Sequence, residues 1–364
     1  MPTKKSKISV YIHIPFCSQI CSYCDFPKML KNDGYIIRYL EELKKEIKLN
    51  YRNEKIHTLY IGGGTPTSLN IDHLNKLFNI IKNFNIDKKT EITIEANSED
   101  LNDEKLKLLK KHVNRLSIGI QTFNRKRLKK LNRSINIENI EKAFKYFKNI
   151  NLDLMYGFEN EKINDVNDDI EKILSLNPTH ISTYSLIIED NTLFKIKNYH
   201  RLDEDKDRKI YDFLVEKLQN RGYIHYEISN FAKETYESKH NLTYWNNEHY
   251  YGFGLGASGY IGNIRYENTR SLTKYLNGDY ILESHKLTQD EIFQNELMLG
   301  FRKIEGINKD NFYKKYKINL TNIKDIKNLI DEGLLQENDE YIFINLKYIY
   351  TSNEILLRLI DITL

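Results

Sequence analysis

Six times along this 364-residue chain, a short apolar or alternating run is followed by a segment of helical periodicity. "KISVYIHI" precedes "DGYIIRYLEELKKEIKLNY", in which Ile36, Leu40, Leu43 and Ile47 share one helical face. "IHTLYIGG" precedes "IDHLNKLFNIIKNF", "TEITIEAN" precedes "DEKLKLLKKH", and "RLSIGIQTF" precedes "IENIEKAFKYFKNI". "NLDLMYGF" then leads into "NDDIEKILSL", and "HISTYSLII" into "KDRKIYDFLVEKLQN". Parallel strands need crossover connections, and strands covered by helices read as apolar runs. The repetition therefore predicts an α/β fold, a parallel sheet wrapped by helices in a partial (β/α)6 barrel.

In such folds the chemistry gathers on the loops that follow the strands. Cys17, Cys21 and Cys24 follow the first strand and Gly62 to Thr65 the second; Glu95 and Asn97 end the third, Gln121 ends the fourth, and Asp153 lies within the fifth. These positions are expected to converge on one face. After residue 222 the pattern changes to "IHYEISNFA", a loop "KHNLTYW" and the glycine-rich "YGFGLGASGYIGN", whose glycines permit tight turns or close backbone approach. "INKDNFYKKY", "LTNIKDIKNLIDEGLL" and "EYIFI" read as two helices and a strand pair. The chain accordingly divides into a core over 1–222, an extension over 223–303 and a small winged-helix-like α+β module over 304–364. Modules of that kind also serve as plain packing units, so DNA binding does not follow from it.

Lys and Arg total 55 against 51 Asp and Glu, and a net charge of +4 lacks the basic bias of a dedicated nucleic-acid binder. No apolar run reaches the roughly 18 residues of a spanning helix. "MPTKKSKISVYIHIPF" is basic but lacks the apolar stretch and cleavage site of a signal peptide. The expectation is a cytoplasmic protein without a nucleic-acid partner or integral membrane segment, with peripheral membrane contact left open.

All three cysteines of the chain fall in "CSQICSYC", spaced C-x3-C-x2-C. An odd number cannot pair off as disulfides, and short spacers let thiolates surround a soft metal centre without a large loop-closure cost. A structural zinc would need a fourth protein ligand, for which His13 is the candidate, although "YIHIP" places His13 in the first strand as a packed residue. An iron–sulfur cube on three thiolates leaves one iron open to a small molecule.

Beyond the cysteines, "YIHIPFCSQICSYCDF", "IGGGTPTSL", "RLSIGIQTFN", "NLDLMYG" and "HISTYSLI" occur in order over nearly the whole chain. They resemble the radical S-adenosylmethionine superfamily and, within it, the oxygen-independent coproporphyrinogen III oxidase family. The resemblance implies a [4Fe-4S] cluster on Cys17, Cys21 and Cys24, with S-adenosylmethionine as the exchangeable fourth ligand through its amino and carboxylate groups. It implies that reducing the cluster can cleave the sulfonium to a 5′-deoxyadenosyl radical. It also implies that Tyr11 and Tyr23 flank the cluster, and that Gly63, Gly64, Thr65, Glu95, Gln121, Arg133, Asp153 and Ile187 contact S-adenosylmethionine. The residue types suit these roles, since glycines admit an ammonium close to the backbone, Glu95 and Asp153 can accept from ribose or ammonium groups, and Arg133 can pair with a carboxylate. Without the resemblance the glycine triplet would read as a turn, and Arg133 and Asp153 as a surface ion pair.

The oxidases of that family resemble C-x3-C-x2-C-x-C behind a sizeable N-terminal segment, whereas Phe26 stands at the fourth position here and ten residues precede Tyr11. Both features resemble the subgroup of HemW-type heme chaperones, as does the His-Asn-x-x-Tyr motif of "HNLTYW". That resemblance implies heme as a ligand, with His240 as the candidate axial ligand and Tyr244 and Trp245 beside it, next to Asn241. It implies heme-accepting respiratory proteins as recipients, and a homodimer is one assembly to test. A radical enzyme acting on a porphyrin, such as an oxygen-independent coproporphyrinogen III oxidase, is the alternative. Two departures stand out: Phe158-Glu159-Asn160-Glu161 replaces the usual Leu-Pro-x-Gln, and Ser258 stands where His is common.

Overall fold

The computed structural model describes residues 8–360 and Ile362. β1 (Ile8–Ile14) leads into the cysteine loop, which is bracketed by a minimal parallel pair, β2 (Phe16–Cys17) and β3 (Met29–Leu30). Then α1 (Asp33–Asn50), β4 (Ile56–Gly63), α2 (Ile71–Ile81), β5 (Glu91–Asn97), α3 (Asp103–Lys110) and β6 (Arg115–Gln121) alternate. α4 (Arg125–Leu131) and α5 (Ile137–Tyr146) precede β7 (Ile150–Tyr156), and α6 (Ile163–Ser175) precedes β8 (His180–Ser185). The short α7 (Leu193–Ile196) and the long α8 (Glu204–Asn220) complete the sixth unit. β1, β4, β5, β6, β7 and β8 pair in that order and all in parallel. Their residues are buried on both faces, as the apolar runs require.

The helices begin where the sequence supplies caps. Asn32, Asn70, Asn102, Asn124 and Asn136 each accept a backbone N–H of the first turn of α1 to α5. An asparagine in that place satisfies a donor that the helix leaves orphaned. The abundance of Asn therefore has a local structural use.

Beyond the sixth unit the sheet grows at both flanks. β9 (Ile224–Glu227) and β10 (Asn230–Ala232) continue it antiparallel beside β8, while β11 (Tyr250–Phe253) joins β1 in parallel after α9 (Lys239–Trp245). β12 (Ser258–Ile261), β13 (Ile264–Asn268), α10 (Leu272–Leu276) and β14 (Ile281–Lys286) follow, the strands pairing antiparallel. The order of the 12 strands is linear, running from β14 to β9. It curves around a cavity as a partial barrel.

"KHNLTYW", expected as a loop, is instead helix α9. Ser238 caps it by accepting from Asn241 N, and His240 and Thr243 are buried on its inner face, so packing settled a stretch without clear periodicity. The segment between "TF" and "IENI" is likewise helical, as α4.

The C-terminal segment holds α11 (Gln289–Gly300), β15 (Ile307–Asn308), α12 (Lys309–Tyr316), α13 (Lys324–Asp331), β16 (Leu335–Glu337), β17 (Tyr341–Ile344) and α14 (Ser352–Leu357). The expected strand pair gains β15 as a third strand, in the order β15-β17-β16. Apolar contacts run without a break from Ile8 to Ile362, so this segment shares one core with the barrel.

Candidate functional site

Strand residues alternate between faces, and here the alternation is legible side chain by side chain. A cavity of about 650 Å³ is lined by Glu95 and Asn97 of β5, by Arg115, Ser117, Gly119 and Gln121 of β6, by Asn151, Asp153 and Met155 of β7, and by His180, Ser182 and Tyr184 of β8. Cys17, Cys21 and Cys24 lie at its mouth with Gly63, Gly64 and Thr65. Tyr23, Arg133 and Ile187 also line it, so most positions expected at the site stand around one space.

The mouth is built by links between strand ends. Gly64 N donates to Ile14 O and Thr65 N to Phe16 O, both at 2.9 Å, which ties the glycine loop to the start of the cysteine loop. The Glu95 carboxylate accepts from Tyr60 Oη (2.8 Å) and Gly63 N (3.0 Å). Gly63 has φ 118°, in the left-handed region that favours glycine. A Cβ on Gly64 would stand 2.8 Å from Cys17 Sγ, and one on Gly62 2.9 Å from the Glu95 carboxyl. The triplet is thus required by close approach.

Arg133 crosses from the loop after α4 to donate to Asn97 Oδ1 (2.7 Å) and Gly119 O (2.8 Å), and its Nη1 lies 3.8 Å from Cys21 Sγ. Gln121 sits at φ 64° and donates to Tyr23 Oη at 3.1 Å. A non-glycine residue held there costs of order 1 kcal/mol and is kept where surroundings over-determine it. Gln121 Oε1 and Arg133 Nε are buried without a hydrogen-bond partner. Buried polar groups are usually satisfied, so these two await a partner at the site.

Burial dominates the electrostatics. It pushes the Cys17 thiol up to about 12 and raises Cys24 in the same direction. A thiolate at Cys17 therefore calls for a cation to offset its desolvation, as a metal-bound sulfur has. Glu95 is pushed up to about 7, chiefly by burial, and burial raises Asp153 as well.

These features test whether the residues fit an iron–sulfur cube with S-adenosylmethionine. Three thiols at the mouth, a cradle that a Cβ would fill and two orphaned polar atoms beside it all fit. Among the described residues no three His, Cys, Asp or Glu side chains are gathered as on a single ion. A cube asks for a different arrangement, one thiolate per iron. His13, the candidate fourth ligand for zinc, is buried with Nδ1 against Tyr11 Oη (3.0 Å) and Nε2 against Pro27 O (2.8 Å).

Three expected residues are not brought to the cavity wall. Tyr11 is bonded to His13 and packs against Tyr60, with ring centroids 6.2 Å apart. His240 lies at the opposite end of the barrel, where α9 plugs the strand starts. Its Nδ1 meets Thr58 Oγ1 at 2.7 Å, its Nε2 meets Tyr244 Oη at 2.8 Å, and its ring stacks on Tyr60. Both imidazole nitrogens are used within the protein, burial lowers the group to about 3, and Tyr244 is spent on the same contact. Asn241 of that motif does reach the cavity.

Two departures from the expected pattern acquire local reasons. Glu161 is buried, accepts from Gly157 N (2.6 Å) and Phe158 N (3.1 Å) and pairs with Arg127 at 3.1 Å, so it pins the loop after β7. Ser258 is exposed on β12, away from the cavity. The sequence reading missed Arg115, Asn151, His180 and Ser182. Their signal was period-2 spacing within each strand: Arg115, Ser117, Gly119 and Gln121 in "RLSIGIQ", Asn151 and Asp153 in "NLD", and His180 and Ser182 in "HIS".

A model of the radical SAM superfamily matches residues 11–173. The chain is 39% identical to heme chaperone HemW of Lactococcus lactis, over 92% of both chains. It is 37% identical to heme chaperone HemW of Bacillus subtilis, over 95% of this chain and 97% of the relative. This chain belongs to the HemW family. Coproporphyrinogen III oxidase HemN from Escherichia coli, a radical SAM enzyme, has the same fold, with a TM-score of 0.85 at 21% identity over 98% of this chain and 91% of that one. No helix among the described residues is long and apolar enough to cross a membrane. Phe26 stands beside the cysteines, lines the cavity and is 67% exposed.

Proposed function

We propose that the protein is a cytoplasmic heme chaperone that binds heme and passes it to respiratory hemoproteins. Cys17, Cys21 and Cys24 hold a [4Fe-4S] cluster, and S-adenosylmethionine lies against Gly63, Gly64, Thr65, Glu95, Gln121, Arg133, Asp153 and Ile187. The cluster, when bound, supplies an open iron for the amino and carboxylate groups of S-adenosylmethionine. The chain's own residues do the rest: Glu95 and Asp153 accept hydrogen bonds, Arg133 offers its unpartnered Nε, and the glycine loop admits the ligand close to the backbone.

The observation that carries this reading is the end-to-end similarity to heme chaperones HemW, together with Phe26 in place of a further cysteine. The buried, fully bonded His240 favours a heme site elsewhere than the plug, and the exposed apolar rim of Phe26 and Ile187 is the better candidate. The test is an anaerobic heme titration of the reconstituted protein, with coproporphyrinogen conversion assayed on the same sample. Stoichiometric heme uptake without conversion is the expected result. Conversion without stable uptake makes the chain a radical enzyme acting on a porphyrin.

A further inference from the structure

Arg115 opens β6 at the deep end of the cavity and is only 2% exposed, yet its Nε has no hydrogen-bond partner. Glu91, Glu95 and Asp153 are near enough to feel its charge, but none forms a salt bridge with it among the described residues. Its register partner on β5 is Thr93, whose buried Oγ1 is also without a partner. A buried guanidinium with an unmatched Nε and no ion pair among the described residues is costly, and buried polar groups are normally satisfied, so Arg115 Nε beside the equally unmatched Thr93 Oγ1 marks a place where a ligand completes the set. The planar fork of Arg matches a carboxylate with two parallel hydrogen bonds. Ser117, Asn151 and Ser182 line the same end.

The cavity thus has a cationic floor at Arg115 and an apolar rim at Phe26 and Ile187, 67% and 62% exposed. A porphyrin has the same division, an apolar plane bearing acid arms. We infer that the deep end of the cavity is a carboxylate site centred on Arg115 and that it takes a propionate arm of the heme cargo. This rests on the heme-chaperone reading above.

The test is a double cycle on the reconstituted, S-adenosylmethionine-loaded protein, titrating heme and heme dimethyl ester into wild type and Arg115→Met. Esterification is expected to weaken wild-type binding by about tenfold or more, the worth of a charge-assisted pair. Arg115→Met should bind heme as weakly as wild type binds the ester, and should not distinguish the two. Removing an unpaired buried charge should leave the unfolding midpoint level or higher. If that variant does not fold, Thr93→Val serves in its place and should shrink the ester penalty in part. An ester penalty of equal size in wild type and variant overturns the inference while leaving the chaperone reading intact. So does weakened S-adenosylmethionine binding with heme affinity unchanged. Failure of wild type to take up either porphyrin overturns the chaperone reading, and this inference with it.

Discussion

The two ends of the barrel are built from the same kinds of side chain and satisfied in opposite ways. At the strand starts, α9 inserts His240 and Thr243, whose side chains are matched even though Trp245 Nε1 at the end of that helix is not: His240 with Thr58 and Tyr244, Thr243 with Ser9, Ser9 with Thr58, and His240 N with Glu91. At the other end and along the inner wall, Gln121 Oε1, Arg133 Nε, Arg115 Nε and Thr93 Oγ1 are buried and unmatched. A closed network rigidifies and seals, whereas open valences await a ligand. A conspicuous motif can therefore be architecture, and an inconspicuous strand can be the binding wall.

The largest effect that separates the two ends is loss of the metal centre. Cys17→Ser should abolish the visible iron–sulfur absorption and reduce bound iron to background while circular dichroism stays native. Retention of a full cluster would remove Cys17 from the ligand set. At the plug, His240→Ala should leave the cluster spectrum unchanged but cost about 2–4 kcal/mol of stability. It opens a void, strands the Tyr244 hydroxyl and takes one of two side-chain partners from the Thr58 hydroxyl. Denaturant melts check this. Unchanged stability with abolished heme uptake would reverse the comparison and restore His240 as an axial ligand.

A pH titration sharpens the same contrast. The Glu95 carboxyl titrates near 7 in the fold against 4.5 when unfolded, so between those values the folded chain holds more protons. Its contribution to stability is full below pH 4.5 and is lost as pH rises through about 7. Affinity for the cationic S-adenosylmethionine should move the other way, tightening by at most about tenfold per pH unit as the carboxylate forms. Glu95→Gln should flatten both slopes in thermal melts and in equilibrium dialysis. A wild-type affinity that does not change with pH would take Glu95 out of contact with the cation.

Much of this was legible in the sequence, for identifiable reasons. Strand–helix repetition carries the topology because period and crossover length are local properties, and C-x3-C-x2-C carries the mouth because its members are neighbours in the chain. Arg133 and Gln121 were legible through the family's motifs. The role of His240 was not, because it depends on Thr58 and Tyr60, which lie 180 or more residues away in sequence. Arg115 was hidden differently: a charged residue at the start of a strand reads as solvated until the neighbouring strands and the plug are seen to bury it. Helix α9 escaped because a seven-residue helix held by one serine cap and a buried face has too few turns to show a period.

The smallest stability effect expected is at the rim. Phe26 is 67% exposed, so Phe26→Ser removes little buried surface and should shift the unfolding free energy by no more than about 0.5 kcal/mol. If the rim is where the porphyrin plane rests, the same substitution should weaken heme binding by several-fold, because the apolar contact exists only in the complex. Absorption titration of the holo-protein beside a denaturant melt gives both numbers from one preparation. The converse pattern, a large stability loss with heme affinity unchanged, would place Phe26 among the residues that hold the cysteine loop. The rim would then resemble the plug, and the distinction between a satisfied end and an open end would shrink to the inner wall around Arg115.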